Sequence, residues 1–453
     1  MTHATPRTGM SRRSFLTLAG LALAGTATGA ATGALAGCAG TGATAGRDNT
    51  ADDGLPVTSL TWWSNHPGSS KEHELELIRR WEAHRPDVRI NLVDAGKDYA
   101  EVANKLNAAL TGTDVPDVVV LSDVWWYNFA LNDQITPVSE IVDKAGIDPS
   151  TYVASLYEDY RIGDRHFAFP YARSTPLFYY NKESWERAGL PDRGPESWEE
   201  MARWGQALRG RNPRQRPLGW YNAASNLSWT FAGPLWTMGG AYSHGWDLRL
   251  TSPETLAAVR WFQEATDPEA GWSAIATDLA VDFSSGRCAS GVLSTGDLSG
   301  IDKQARFEYG TAPLPNPRGE GGCPTGGAGL AIPRNLPEKR KIAAAQFIDF
   351  ITNKENTAYW SRNVGYMPVR TTAVEDPEQQ EFMARNPNFR TAVDQLAHTR
   401  PQDNARVALP GADPRIGGSL EMVATGRRDV EVVMGNLNNI MSRIYENQVK
   451  PLI

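Results

Sequence analysis

Val57-Thr58-Ser59-Leu60-Thr61-Trp62-Trp63 reads as a strand, and behind it Lys71 to His84 carries apolar Leu75, Ile78 and Trp81 at helical spacing. Val88, Ile90 and Leu92 then alternate like a half-buried strand, and Val102, Leu106 and Leu110 form a second helical stripe. Asp117 to Leu121 is a short, nearly continuous apolar strand. Parallel strands need a crossover between them, and a helix supplies one, so the order βαβαβ predicts a parallel sheet and an α/β fold.

The pattern continues downstream. Ser197 and Glu200 make a capping box, Ser252 followed by Pro253 marks another helix start, and Lys341 to Asn353 is an Ala-, Ile- and Phe-rich helix. No internal repeat interrupts this order, and after the leader no apolar run is long enough to span a bilayer.

Upstream lies a different kind of segment. Ser11-Arg12-Arg13-Ser14-Phe15-Leu16 is a twin-arginine pattern, and an apolar stretch follows from Leu16 to about Leu35. It ends at Leu35-Ala36-Gly37-Cys38, which resembles the lipoprotein box in which the cysteine is acylated and becomes the new N-terminus. Residues 1–37 are thus expected to be a signal peptide, Cys38 the lipidation site, and residues 38–54 a flexible polar tether. This places the body outside the cytoplasm, anchored to the outer face of the cytoplasmic membrane.

The chain carries a formal charge of −7, and removing residues 1–37 takes away Arg7, Arg12 and Arg13 and no acid. An acidic body argues against nucleic acid as a partner. The full chain is 41% hydrophobic, and the about four hundred residues beyond the leader are more than one core usually serves, so two lobes are expected. Beyond Cys38 the only thiols are Cys288 and Cys323; they could pair in an oxidising compartment or sit as small buried apolar residues.

No catalytic constellation assembles. His66, His73, His84, His166, His244 and His398 are scattered, with no H-E-x-x-H, no zinc-type cysteine spacing, no G-x-S-x-G elbow and no phosphate loop. Neither enzyme activity, nor a metal, nor a cofactor is expected.

Pro170-Tyr171-Ala172-Arg173-Ser174-Thr175-Pro176-Leu177-Phe178-Tyr179-Tyr180-Asn181-Lys182 resembles the lobe-crossing segment of the extracellular solute-binding proteins of carbohydrate-type ABC importers. Gly112-Thr113-Asp114-Val115-Pro116-Asp117-Val118, Leu293-Ser294-Thr295-Gly296, Pro324-Thr325-Gly326-Gly327-Ala328-Gly329 and Gly365-Tyr366-Met367-Pro368-Val369-Arg370 carry the same resemblance. Within the family the chain is most similar to glycerol-3-phosphate and glycerophosphodiester binders, including actinobacterial lipoproteins that bind glycerophosphocholine. The resemblance implies a two-lobed periplasmic-binding-protein fold that closes over a ligand between lobes, with a permease as partner and a monomeric state. By analogy, lobe one holds residues 55–172 and 312–352, and lobe two holds 173–311 and 353–453.

The same resemblance implies the cleft residues. Ser174, Ser294 and Gly327 would touch the ligand through hydroxyl or backbone N–H groups, although their motifs are also ordinary turn chemistry. Asp123, after a strand end, would accept glycerol hydroxyls or else cap a helix. Tyr99 and Tyr366 would offer ring faces or phenols, against a packing role. Trp229 and the run Trp125-Trp126-Tyr127 are candidate aromatic walls for a quaternary ammonium, with Trp229 preferred and lobe-core packing the alternative for the others. Arg406, in Thr399-Arg400-Pro401-Gln402-Asp403-Asn404-Ala405-Arg406, matches the family's cleft arginine, against an exposed surface role. The choline-binding relatives carry an apolar residue two before Ser228 and an aromatic one at 404, where this chain has Asn226 and Asn404. The more polar pocket raises glycerol-3-phosphate, another glycerophosphodiester or an oligosaccharide as ligands. An extracellular hydrolase of such esters and an interaction module without a small ligand stand as readings from other classes.

Overall fold

A computed structural model of the chain describes residues 56–453, except positions 113 and 320. The twin-arginine segment, Cys38 and the tether lie outside the described residues.

Among the described residues, two five-stranded sheets carry the architecture. Their strands are β1 (Ser59–Ser64), β2 (Arg89–Asp94), β3 (Val118–Ser122), β4 (Phe169–Ser174), β5 (Pro176–Asn181), β6 (Leu218–Trp220), β7 (Ser273–Ile275), β8 (Ser290–Ser294), β9 (Tyr309–Ala312) and β10 (Gly326–Ala331). The first sheet has the order β2-β1-β3-β10-β4 and the second β7-β6-β8-β5-β9.

The first sheet follows the βαβαβ reading. β1 pairs in parallel with β2 and β3, and helices α1 (Lys71–His84) and α2 (Tyr99–Ala109) make the crossovers. All five β3 residues are buried, which its continuous apolar sequence requires of a strand covered on both faces. One detail differs from the expected helical stripe. Leu75 is 38% exposed, and the face of α1 that packs inward is Glu74, Leu77, Ile78 and Trp81. That set has the i, i+3, i+4, i+7 spacing of one helical face, but it includes an acid, so hydrophobicity alone pointed one position away.

In each sheet the fourth strand runs against its neighbours and is reached from the other sheet. β5 follows β4 after the single residue Thr175 and is antiparallel to β8 and β9. β10 arrives from β9 and is antiparallel to β3 and β4. The two lobes are thereby joined by chain crossings next to the ends of β4 and β10. Arg173 and Ser174 at the end of β4, and residues 353–370, all expected in lobe two, belong to the first sheet or run along it instead, and Ala312, expected in lobe one, ends β9 of the second sheet. Met367 bridges to Arg173, Arg370 bridges to Tyr152, and Trp360 lies 4.7 Å from the Tyr171 ring. The apolar Trp360 and Val369 need a covered face, and the first sheet offers it.

Further helices back the second sheet: α3 (Trp198–Arg211), α4 (Pro253–Ala265), α5 (Ala412–Ala424) and α6 (Val430–Ile444) share one core with Trp220, Leu235 and Val292. Ser197 caps α3 by accepting from Glu200 N at 3.1 Å, and Ser252 caps α4 by accepting from Thr255 N at 3.3 Å. Cys288 and Cys323 are both buried and unpaired, and burial pushes each thiol up to about 12. They behave as small apolar residues.

Candidate ligand cleft

Open α/β sheets gather ligands outside the carboxyl ends of their strands, because chain leaving the sheet there is free to form loops. In the first lobe those ends carry Asp123 after β3, Ser174 at the end of β4, and Gly327 near the start of β10. Asp123 N donates to Gly327 O at 2.9 Å, joining two of them. Gly327 has φ +88, and a Cβ there would lie 2.0 Å from Ala172 O, so only glycine fits. Ser174 is buried opposite Gly326. Asp123 does not cap a helix: the next one, Trp126–Leu131, begins without a side-chain cap.

Tyr99 opens α2, whose first turn Asp98 caps by accepting from Glu101 N at 2.9 Å. Its hydroxyl is buried beside the Tyr366 phenol. Burial first, and then the neighbouring Tyr366 phenol, hold it well above the usual tyrosine range. Burial pushes Tyr366 up to about 12, so both phenols are neutral donors at any physiological pH. Tyr366 stacks on Trp360 at 6.3 Å, and its hydroxyl comes within 3.1 Å of the Cβ position of Gly296. It is therefore a contact between the lobes.

In the second lobe, β8 ends at Ser294 in a reciprocal cap. Ser294 Oγ accepts from Gly296 N at 3.0 Å, and the Asp297 carboxylate accepts from Ser294 N at 3.2 Å. Tyr221 also donates to Asp297, whose carboxyl burial raises to about 6. The turn reading of Ser294 thus holds, with its hydroxyl oxygen used as an acceptor inside the cap. Trp229, 3% exposed, reaches across the lobes: its Nε1 donates to Thr325 O at 3.0 Å, and the indole lies 2.6 Å from the Cβ position of Gly326. Asn226 precedes the short helix Leu227–Thr230 and is half-buried without capping it; Asn404 is half-buried too. In the aromatic run, Trp126 packs into the lobe core against Tyr160 at 5.5 Å, with Trp125 half-buried against the same core. Tyr127 alone meets a second-lobe ring, Trp246, at 6.1 Å.

Arg406 is 5% exposed, which rules out the surface reading. Its Nη1 donates to Asp123 Oδ2 at 3.0 Å and also to Gln402, Nη2 pairs with Asp413 Oδ1 at 2.8 Å, and Nε donates to Ser228 Oγ at 3.2 Å. Gln402 Nε2 donates to the same Asp123 oxygen at 2.6 Å, while Ser228 donates to Asp413. One guanidinium therefore stands between two carboxylates and ties Asp123 of one lobe to the other. Of its five N–H donors, one Nη2 hydrogen is left over.

Sequence reasoning missed Arg173. It is fully buried in β4, donating from Nη1 to Tyr160 OH at 2.8 Å and from Nη2 to Asp159, which also accepts from Thr325 Oγ1. Its Nε has no partner. The signal was present, since a charge inside Phe169-Pro170-Tyr171-Ala172-Arg173, otherwise uncharged and wholly buried, has to be paired.

The family described as bacterial extracellular solute-binding protein matches residues 76–391. The sn-glycerol-3-phosphate-binding periplasmic protein UgpB of Salmonella typhimurium is 27% identical over 395 residues, covering 83% of this chain and 89% of its own. UgpB of Escherichia coli K12 is 26% identical over 418 residues, covering 87% and 94%. Among solved structures, UgpB from Mycobacterium tuberculosis in complex with glycerophosphocholine is 49% identical, with TM-score 0.83 and coverage of 86% of this chain and 99% of that one. Maltose-bound T. maritima MalE3, at 20% identity and TM-score 0.71 over 85% and 99%, shares the fold.

Proposed function

Because the chain belongs to the bacterial extracellular solute-binding protein family, we propose that its cleft captures a glycerophosphodiester, with glycerophosphocholine the leading ligand. The chain is the substrate-binding protein of an ABC importer. The observation that carries the ligand reading is the 49% identity, over 86% of this chain and 99% of the other, to a UgpB that holds glycerophosphocholine.

The cleft chemistry supports it. A phosphodiester keeps one negative charge at physiological pH, and withdrawing that charge from water is costly unless donors meet it. The Tyr99 and Tyr366 phenols, the Ser174 and Ser294 hydroxyls, the Gly327 N–H and the spare Nη2 hydrogen of Arg406 are such donors. Arg406 also holds Asp123 in place for a glycerol hydroxyl, and Trp229 supplies a ring at the crossing. The lobes close by bending at the crossings near Thr175 and Thr325, and the solute is passed on unchanged by a monomer. Asn226 and Asn404, both half-buried, favour a second reading with a more polar ligand, glycerol-3-phosphate or an oligosaccharide.

Outside the described residues, the twin-arginine segment and Cys38 support export of the chain and its anchoring by lipid. No helix among the described residues is long and apolar enough to cross a membrane. Changing Cys38 to Ala should release the chain from membranes; unchanged partitioning overturns the anchor. Calorimetry with glycerophosphocholine, glycerol-3-phosphate and maltotriose tests the ligand: binding of maltotriose alone overturns the phosphodiester reading.

A further inference from the structure

β1 ends at Ser64, and the chain then runs through Asn65-His66-Pro67-Gly68-Ser69-Ser70 before α1 begins. This loop closes against both the second lobe and the segment of residues 353–370 that carries Tyr366. A Cβ at Gly68 would lie 3.3 Å from Gly296 O and 3.8 Å from the Tyr366 ring. His66 is held in the left-handed region, φ 51 and ψ 66, which a non-glycine residue occupies only when its surroundings enforce it. The enforcement is visible. His66 N donates to Ser64 Oγ at 3.0 Å, and its Nδ1 is bonded to Glu74, a carboxylate that also accepts from Ser64 Oγ at 2.6 Å and Tyr171 OH at 3.3 Å. Burial raises the Glu74 carboxyl above its usual range.

The loop nevertheless carries three buried polar atoms with no hydrogen-bond partner: Asn65 Oδ1, His66 Nε2 and Ser70 Oγ. The carboxylate closest to His66 Nε2, Asp94 Oδ2, is 3.7 Å away, beyond hydrogen-bonding reach, and largely exposed. Burying such groups without partners is unfavourable, so their concentration beside the cleft calls for a ligand group that satisfies them.

Three kinds of group are on offer in a glycerophosphocholine-like solute. A phosphate oxygen only accepts, and a quaternary ammonium neither donates nor accepts. A hydroxyl does both, so it suits the amide, the imidazole and the serine whichever way the amide is turned and whichever ring nitrogen carries the proton. We propose that the Asn65–Ser70 loop is a hydroxyl-recognition subsite that seats the glycerol end of the bound phosphodiester, with Asn65 and His66 determining specificity. The assignment rests on the ligand reading above. It relieves Asp123 of holding both hydroxyls alone, since one of its oxygens already accepts from Arg406 and Gln402.

The test is calorimetry on the parent chain, Asn65→Ala and His66→Asn, the latter tolerant of the left-handed backbone. The ligands are glycerophosphocholine, glycerol-3-phosphate, and ethylphosphocholine, which lacks both hydroxyls. Each variant should lose about 10-fold toward the two glycerol-bearing ligands and less than about twofold toward ethylphosphocholine. Asn65→Ala leaves the Glu74 contacts intact, so it reads the subsite even if His66→Asn is poorly folded. Equal losses on all three ligands, or none on any, overturn the subsite while the ligand reading stands. A parent chain that binds neither glycerol-bearing ligand overturns both.

Discussion

Arg173 and Arg406 are both buried arginines beside the same cleft, yet they are built for different work. Arg173 sits within one strand and pairs inside its own lobe, with Asp159 and Tyr160. Arg406 spans the lobes, from Asp413 to Asp123. Arg173 is fully buried and its acid 11% exposed, whereas the acids on Arg406 are 13% and 20% exposed. A guanidinium locked within a lobe holds that lobe's shape, while one bonded across the seam changes its surroundings whenever the lobes move. Burial alone therefore does not separate the two arginines; the lobe to which their partners belong does.

The sharpest break of this comparison is in stability. Arg173→Ala leaves Asp159 buried without its cation and should cost about 3 to 5 kcal/mol in urea unfolding. Arg406→Ala should cost less, because its two acids lie at a seam that opens to water when the lobes part, while Asp159 stays inside one lobe; an equal loss would erase the distinction. In binding the order reverses: Arg406→Ala should weaken glycerophosphocholine by about 30-fold to several-thousand-fold, and Arg406→Lys should restore only part. Calorimetry within about threefold of the parent would remove Arg406 from the site. Trp229→Ala should cost glycerophosphocholine about 2 kcal/mol more than glycerol-3-phosphate if the ring faces the quaternary ammonium. Equal losses would leave it as packing on Gly326. Trp229→Phe keeps a ring but loses the bond to Thr325 O, about 1 kcal/mol, together with part of the packing on Gly326.

A separate prediction concerns pH. Burial raises Asp297 from 3.8 to about 6, so the folded chain binds a proton there that the unfolded chain has released. Its contribution is complete below pH 3.8 and is lost as pH rises through about 6. Thermal melts across that window should show Asp297→Asn to be less pH-dependent than the parent; identical slopes would mean that Asp297 does not titrate there.

The candidate cleft residues were legible unevenly. Ser294, Gly327, Tyr366 and Arg406 stood in motifs, and Gly327 is required by the close approach of Ala172 O. Asp123 was readable as a strand-end acid, but its partner Arg406 lies 283 positions away. Glu74 and Arg173 were hidden because each occupies a position that hydrophobic periodicity treats as core. Asn65, His66 and Ser70 gave no signal: a polar loop after a strand is ordinary, and only packing against Gly296 and Tyr366 buries it.

By itself the sequence determined the α/β class, the parallel start of the first sheet, the capped helices and the candidate secretion leader, since each is written in residues close together along the chain. The tertiary structure decided which antiparallel strand each sheet receives from the other, that residues 353–370 run along the first sheet, and which charges meet across the seam. Periodicity records which face of an element is covered, not by what. Pairings between residues hundreds of positions apart exist only once the lobes have been laid side by side.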